Sequence, residues 1–180
     1  MGWVGPFTTA AWVAFWLYWL VSARGAKHGT RPGHARLPAG LVIVGVVVVA
    51  HTLHLRTETV HEAAVQALGA ALLALGLAIA VWARVALGRN WGMPMSVKDE
   101  PELVTAGPYR VIRHPIYSGL VLALIGTALA SNLLWLLALA VVVPYAVHSA
   151  RVEERRMTAA FPQAYPRYAQ GTKMFIPHVV

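Results

Sequence analysis

The sequence contains no cysteine. Disulfide frameworks, iron–sulfur clusters, thiolate zinc sites and cysteine nucleophiles are therefore excluded. Acidic side chains are also scarce: 7 Asp and Glu stand against 15 Lys and Arg, a formal net charge of +8. Only 12% of residues are charged, where an ordinary soluble domain carries about 25%. Disorder is excluded as well, because it needs low hydrophobicity together with high net charge. What the chain has in excess is apolar surface: 58% of its 180 residues are hydrophobic and mean hydropathy is +0.58. A single core of this size cannot cover that much, so the composition points to a membrane chain.

Five apolar stretches carry the excess, at residues 7–21, 37–55, 63–87, 116–130 and 133–147. A spanning helix needs roughly 20 apolar residues to cross a core of about 30 Å. The second and third stretches reach that length, and the first does if Trp3 and Val4 are included. The last two are separated by the turn-forming pair Ser131-Asn132 and predict a short helical hairpin, spanning or shallow. The first stretch has no basic residue ahead of it and is rich in tryptophan, so it reads as a retained helix and not a signal peptide. Gly69, Ala70, Ala74, Gly76, Ala78, Gly119, Ala123 and Gly126 are small enough to let helices approach closely in lipid.

The expected fold is thus an all-α integral membrane domain over residues 1–180. Three transmembrane helices lie in 1–87, and a linker, the hairpin and a tail lie in 88–180. With five crossings, every Lys and Arg except Arg56 falls on one side. The positive-inside rule makes that side cytoplasmic and the N-terminus external, in a multi-pass protein of the inner (plasma) membrane. The basic charge is then explained by topology. No nucleic-acid motif competes with that reading, and no obligate protein partner is implied.

Two polar segments are long enough to build a site: the linker 88–115 and the tail from His148 onward. The linker carries Gly88, Gly92, Pro94, Pro101, Gly107, Pro108 and Pro115, which forbid a long helix and favour turns with exposed backbone groups. His51 and His54, with His61 beyond, have helical spacing for a metal, but read as interfacial histidines at a helix end, so no metal site is expected. Phe161, Tyr165 and Tyr168 form a stripe that suits docking of the tail at the membrane interface.

Several blocks in the C-terminal half carry a resemblance. They are Leu87 to Trp91 (Leu-Gly-Arg-Asn-Trp), Leu103 to Arg110 (Leu-Val-Thr-Ala-Gly-Pro-Tyr-Arg), and Arg113-His114-Pro115-Ile116-Tyr117-Ser118-Gly119. An apolar hairpin follows, then Glu153-Glu154, then Phe161 and Tyr165. Over residues 84–177 the chain resembles the isoprenylcysteine carboxyl methyltransferase family, and the 87–91 segment resembles its prokaryotic members. That family belongs to a wider set of small integral-membrane methyltransferases that includes phospholipid N-methyltransferases.

The resemblance implies a cytoplasmic pocket for S-adenosylmethionine, with S-adenosylhomocysteine as product. A side opening would admit a lipophilic, isoprenoid or lipid-like acceptor from among the membrane lipids. Its cofactor contacts carry over to Glu102, Leu103, Val104, Tyr109, His114, Pro115, Tyr117 and Glu153. The chemistry is compatible. Aromatic faces suit a sulfonium and an adenine, and a carboxylate suits an ammonium or a ribose diol. His114 and Arg113 would suit the cofactor carboxylate. Candidates for a catalytic role are His114, Arg151 and Glu154. A carboxylate acceptor is already ionised and needs no base, whereas a thiol or amine must lose a proton.

One position departs from the resemblance. Where the eukaryotic members place an arginine for the substrate carboxylate, this chain has Ser149. Arg151 lies two residues on, rotated about 200° around a helix. Two other classes compete: an NADPH-dependent membrane reductase resembling sterol reductases, and a non-enzymatic membrane scaffold. Glu102 and Glu153 suit a sulfonium better than a phosphorylated dinucleotide.

Overall fold

The computed structural model describes residues 2–24, 29–30, 60–91, 97–98 and 102–177. Among these residues the chain forms five α-helices: α1 Val4–Ala23, α2 Ala63–Leu87, α3 Pro115–Ala130, α4 Trp135–Ala160 and α5 Ala164–Gly171. A two-residue antiparallel ribbon pairs β1 Gly29–Thr30 with β2 Val97–Lys98. The apolar stretch 37–55, with His51 and His54, lies outside the described residues.

Helix α1 is apolar on every side and buries only Val4, Thr8 and Phe15. Val13, Trp16, Leu17, Leu20 and Val21 stay exposed. A helix that is hydrophobic all round without protein covering it needs lipid to cover it. By length and composition α1, α2 and α4 are long and apolar enough to cross a membrane. With 16 residues, α3 is shorter.

Helices α2 and α3 pack antiparallel, and glycine sets their separation. A β-carbon built on Gly76 would lie 2.5 Å from the backbone of Gly119 and Ala123, and one on Gly69 would collide with Gly126 and Ala130. The seven-residue spacing from Gly69 to Gly76 is repeated from Gly119 to Gly126, so two pairs of contacts lie along one seam. Of the small residues marked in the sequence, Ala70 and Ala123 are also buried, while Ala74 and Ala78 are exposed and lie off the seam. Phe15 of α1 closes the core against Leu73, Leu77, Ala80 and Ala123. Trp12 donates its indole N–H to Thr127 Oγ1 at 3.0 Å, satisfying a polar group that lipid cannot.

The turn between α3 and α4 forms where the sequence places it, with Asn132 Oδ1 accepting the Leu134 amide at 2.8 Å. Its second arm is longer than the apolar pattern implies. Helix α4 passes Val147 without a break, carries Pro144 inside it, and ends only at Ala160. Residues 148–160 lose hydrophobicity but contain no glycine or proline, and Ala, Arg, Glu and Met are strong helix formers. The stop comes at Phe161, which precedes Pro162 and is thereby biased to extended backbone. The first part of the expected tail is therefore helix.

Candidate functional site

The site forms where the linker, the start of α3, the far end of α4 and the segment after α5 converge. Its first support is Gly107, which has a φ of 60°, and whose β-carbon would sit 3.2 Å from Ala86 Cβ and 3.4 Å from Trp82 Nε1. Only glycine fits both the conformation and the space. The turn Gly107–Arg110 that follows buries Pro108 and Tyr109 against α2. Tyr168 of α5 donates its hydroxyl to the Tyr109 carbonyl at 2.7 Å. The aromatic stripe of the tail thus docks on the linker: Tyr165 is buried and Tyr168 is anchored.

Pro115 opens α3 at the first helical position, where its missing N–H costs nothing. That fixes His114 as the N-terminal flank of the helix and turns its ring toward α4. A chain of contacts then runs through five side chains. Arg113 Nε donates to Glu154 Oε1 at 2.6 Å. Glu154 Oε1 lies 3.3 Å from His114 Nε2. His114 Nδ1 faces Glu153 Oε2 at 3.6 Å, an ion-pair distance. Tyr117 donates its hydroxyl to Glu153 Oε1 at 2.7 Å. The adjacent glutamates of α4 thus bracket one imidazole, each facing a different ring nitrogen.

Burial of His114 opposes its charge, but hydrogen bonding and attraction to Glu153 and Glu154 outweigh burial, and the imidazole is held above its usual pKa. A carboxylate opposite each ring nitrogen favours the protonated ring, in which both nitrogens carry hydrogen. Burial first, and then the Glu153 charge, also push the Tyr109 phenol up, so it remains protonated.

The other sequence candidates fall as follows. Pro115 is fully buried beneath the network. Glu102 is exposed and accepts a 2.7 Å hydrogen bond from Asn90 Nδ2. Leu103 and Val104 are half-buried in an irregular segment. Among the described residues no backbone hydrogen bond involves 103, 104 or 105. Arg151 is exposed and lies outside the network, and Glu154 pairs with Arg113 and His114 in its place. Ser149 is fully buried, on the side of α4 that faces Tyr117.

Arg113 is occupied within the protein: beyond Glu154, one Nη donates to the carbonyls of Ala169 and Thr172. It ties α5 to the network. The sequence reading passed over two further elements. One is Phe175, whose ring lies 5.8 Å from that of His114. The other is the seal at the end of α2. Arg84 there is 4% exposed, donates to the carbonyls of Ser22 and Gly88, and lies 4.7 Å over the Trp91 ring. Phe175 meets His114 from 61 residues away, and the α2 seal combines the nearby Gly88 and Trp91 with the distant Ser22 carbonyl.

The sequence profile of the phospholipid methyltransferase family matches residues 64–164. The chain is 34% identical over 114 residues to the cobalt-zinc-cadmium resistance protein CzcN of Cupriavidus metallidurans, covering 60% of this chain and 50% of that protein. It is 31% identical over 118 residues to the nickel-cobalt-cadmium resistance protein NccN of Alcaligenes xylosoxydans xylosoxydans, covering 62% and 53%. It is also 31% identical over 116 residues to protein-S-isoprenylcysteine O-methyltransferase B of Arabidopsis thaliana, covering 62% and 58%. The chain spans about half the length of the curated relatives it matches. The profile match runs from the head of α2 to the first residue of α5 and takes in all five side chains of the His114 network. On that extent, more than half of its length, the chain belongs to the phospholipid methyltransferase family.

Proposed function

We propose that this protein is an integral-membrane methyltransferase. It would use S-adenosylmethionine to methylate a carboxylate, thiol or amine on an apolar acceptor that enters from the membrane, such as an isoprenoid or other lipid-like molecule. The observation that carries the reading is the chain Arg113–Glu154–His114–Glu153–Tyr117, set at the end of an apolar bundle in a chain of this family. When bound, the cofactor supplies a methyl group activated by a sulfonium: the acceptor lone pair forms a bond to that carbon as the carbon–sulfur bond breaks, releasing S-adenosylhomocysteine.

The donor set suits such a cofactor. The irregular segment 103–105 makes no backbone hydrogen bonds among the described residues, and the half-buried amides and carbonyls of Leu103 and Val104 call for a partner. That supports adenine-edge recognition by Leu103 and Val104, with Glu102 beside them. Tyr109 and Tyr117 supply aromatic faces for a cation, and Glu153 a carboxylate for an ammonium or a ribose. His114, with a glutamate opposite each ring nitrogen, orients Glu153 and Glu154 toward the cofactor, and because both nitrogens already face carboxylates a role as base is disfavoured. Any proton from a thiol or amine acceptor would then pass to Glu153 or Glu154. The clustering of basic residues at this end of the helices supports a cytoplasmic site and an external N-terminus.

Titration calorimetry on the protein in lipid nanodiscs tests the reading. Saturable binding of S-adenosylmethionine without binding of NADPH is expected. Binding of NADPH alone would place the protein among reductase-like membrane proteins, and binding of neither would leave the scaffold reading.

A further inference from the structure

The segment after α5 is bonded into the site. Thr172 donates its hydroxyl to the Tyr168 carbonyl at 2.8 Å, which closes the helix. The chain then runs parallel to residues 111–114, with Ile112 opposite Lys173. Lys173 N donates to Val111 O at 3.2 Å, Arg113 N to Lys173 O at 2.8 Å, and His114 N to Met174 O at 3.0 Å. Ser118 Oγ donates to Phe175 O at 2.7 Å. The backbone N–H groups of Arg113 and His114 are thus both committed to this strap.

Backbone bonds hold the Cα of His114 but not its ring. Rotation about the last side-chain torsion of a histidine is broad, so contacts must fix the ring plane from outside. Two aromatic rings do so here. Tyr117 lies 5.8 Å away with planes 30° apart, and Phe175 lies 5.8 Å away with planes 42° apart. The charged and titratable groups that face His114 are Glu153 and Glu154 from α4, Tyr117 from α3, and its chain neighbour Arg113. The strap brings no charge to this group, because its one ionisable side chain, Lys173, is exposed. What Phe175 supplies is shape.

We propose that the strap 172–175 is a wall of the site and that Phe175 is a positioning residue, holding the His114 imidazole so that each nitrogen stays opposite its own glutamate. The ligand-binding arm of the test below rests on the S-adenosylmethionine reading; the titration arm does not.

The experiment uses the whole chain in nanodiscs with labelled histidine imidazoles. Of the 8 histidines, the His114 signal is assigned by its loss in His114→Gln. In the wild type His114 is expected to titrate above 6.5, and in Phe175→Leu, which keeps apolar cover over the imidazole but removes the ring plane, to move down toward 6.5 as the ring drifts from the carboxylates. Affinity for S-adenosylmethionine is expected to fall about three- to tenfold, the scale of one lost aromatic contact. Phe175→Tyr keeps the ring and should preserve both readouts. If Phe175→Leu does not yield folded protein, Phe175→Met likewise keeps apolar bulk without a ring plane and should show the same downward shift. A His114 titration unchanged or raised in the ring-less variants overturns the proposal. So does an equal shift in Phe175→Tyr. Absence of S-adenosylmethionine binding in the wild type would overturn the cofactor reading alone, and the titration would still decide the role of the strap.

Discussion

The hydroxyl of Tyr117 donates a 2.7 Å hydrogen bond to Oε1 of Glu153, joining the first turn of α3 to the last turns of α4. Because the acceptor is charged, this bond is stronger than a neutral one, on the scale of 1.5–3 kcal/mol. It also leaves Glu153 directed at the same space as His114. Tyr117→Ala or Glu153→Ala is expected to weaken S-adenosylmethionine binding by about 10- to 100-fold with helix content unchanged. Calorimetry with circular dichroism checks this, and normal affinity in both variants would remove these residues from the site.

The His114 clamp has a defined pH dependence. A histidine whose pKa is raised on folding contributes stability that is complete below the unfolded value of about 6.5 and is lost as pH climbs through the folded value. The gap in thermal midpoint between wild type and His114→Gln should therefore be constant below about pH 6.5 and narrow above it. A gap that widens with rising pH would contradict an imidazolium between Glu153 and Glu154.

The α2–α3 seam should not tolerate a single added methyl. At Gly76 a β-carbon meets backbone at 2.5 Å, and backbone cannot move aside as a side chain can. Gly76→Ala is expected to cost about 1–3 kcal/mol, the usual range for overpacking. Gly5→Ala, with nothing within 4 Å of the new methyl, should be neutral. Thermal midpoints in a common detergent compare the two.

Arg84 joins the ends of α1 and α2 through two carbonyls, those of Ser22 and Gly88. A lysine keeps the charge but presents a single compact ammonium, so one of the two carbonyls loses its donor. Arg84→Lys is expected to cost about 1–3 kcal/mol. It should also loosen Trp91 from Trp19, whose rings meet edge to face at 5.5 Å, which tryptophan fluorescence will report.

Much of this was legible in the sequence. The five apolar stretches give α1, α2, α3 and the membrane part of α4, while the one at 37–55 falls outside the described residues. The block from Arg113 to Tyr117 and the pair Glu153-Glu154 meet in space as their resemblance implies, because Pro115 fixes where α3 begins. The full length of α4 was not legible, since hydropathy falls at His148 whereas helix propensity does not. The bonds from Arg113 to Ala169 and Thr172, 56 and 59 residues away, were not legible either, because they run to carbonyls that every sequence possesses. Phe175 has no periodic partner to mark it. Its importance comes from the strap that carries it back to His114.

The unbroken course of α4 has a mechanical consequence. From Trp135 to Glu153 a helix rises about 27 Å, close to the roughly 30 Å of a bilayer core. Pro144 lies within that stretch without ending the helix, so α4 as a whole sets the height of the carboxylates relative to its far end. Were α4 to cross the membrane, hydrocarbon thickness would become a variable of the proposed chemistry. Long acyl chains would draw Glu153 toward the headgroup boundary and short ones would lift it into water. The lipid composition of the host membrane would then tune how far an acceptor must climb to present its reactive atom.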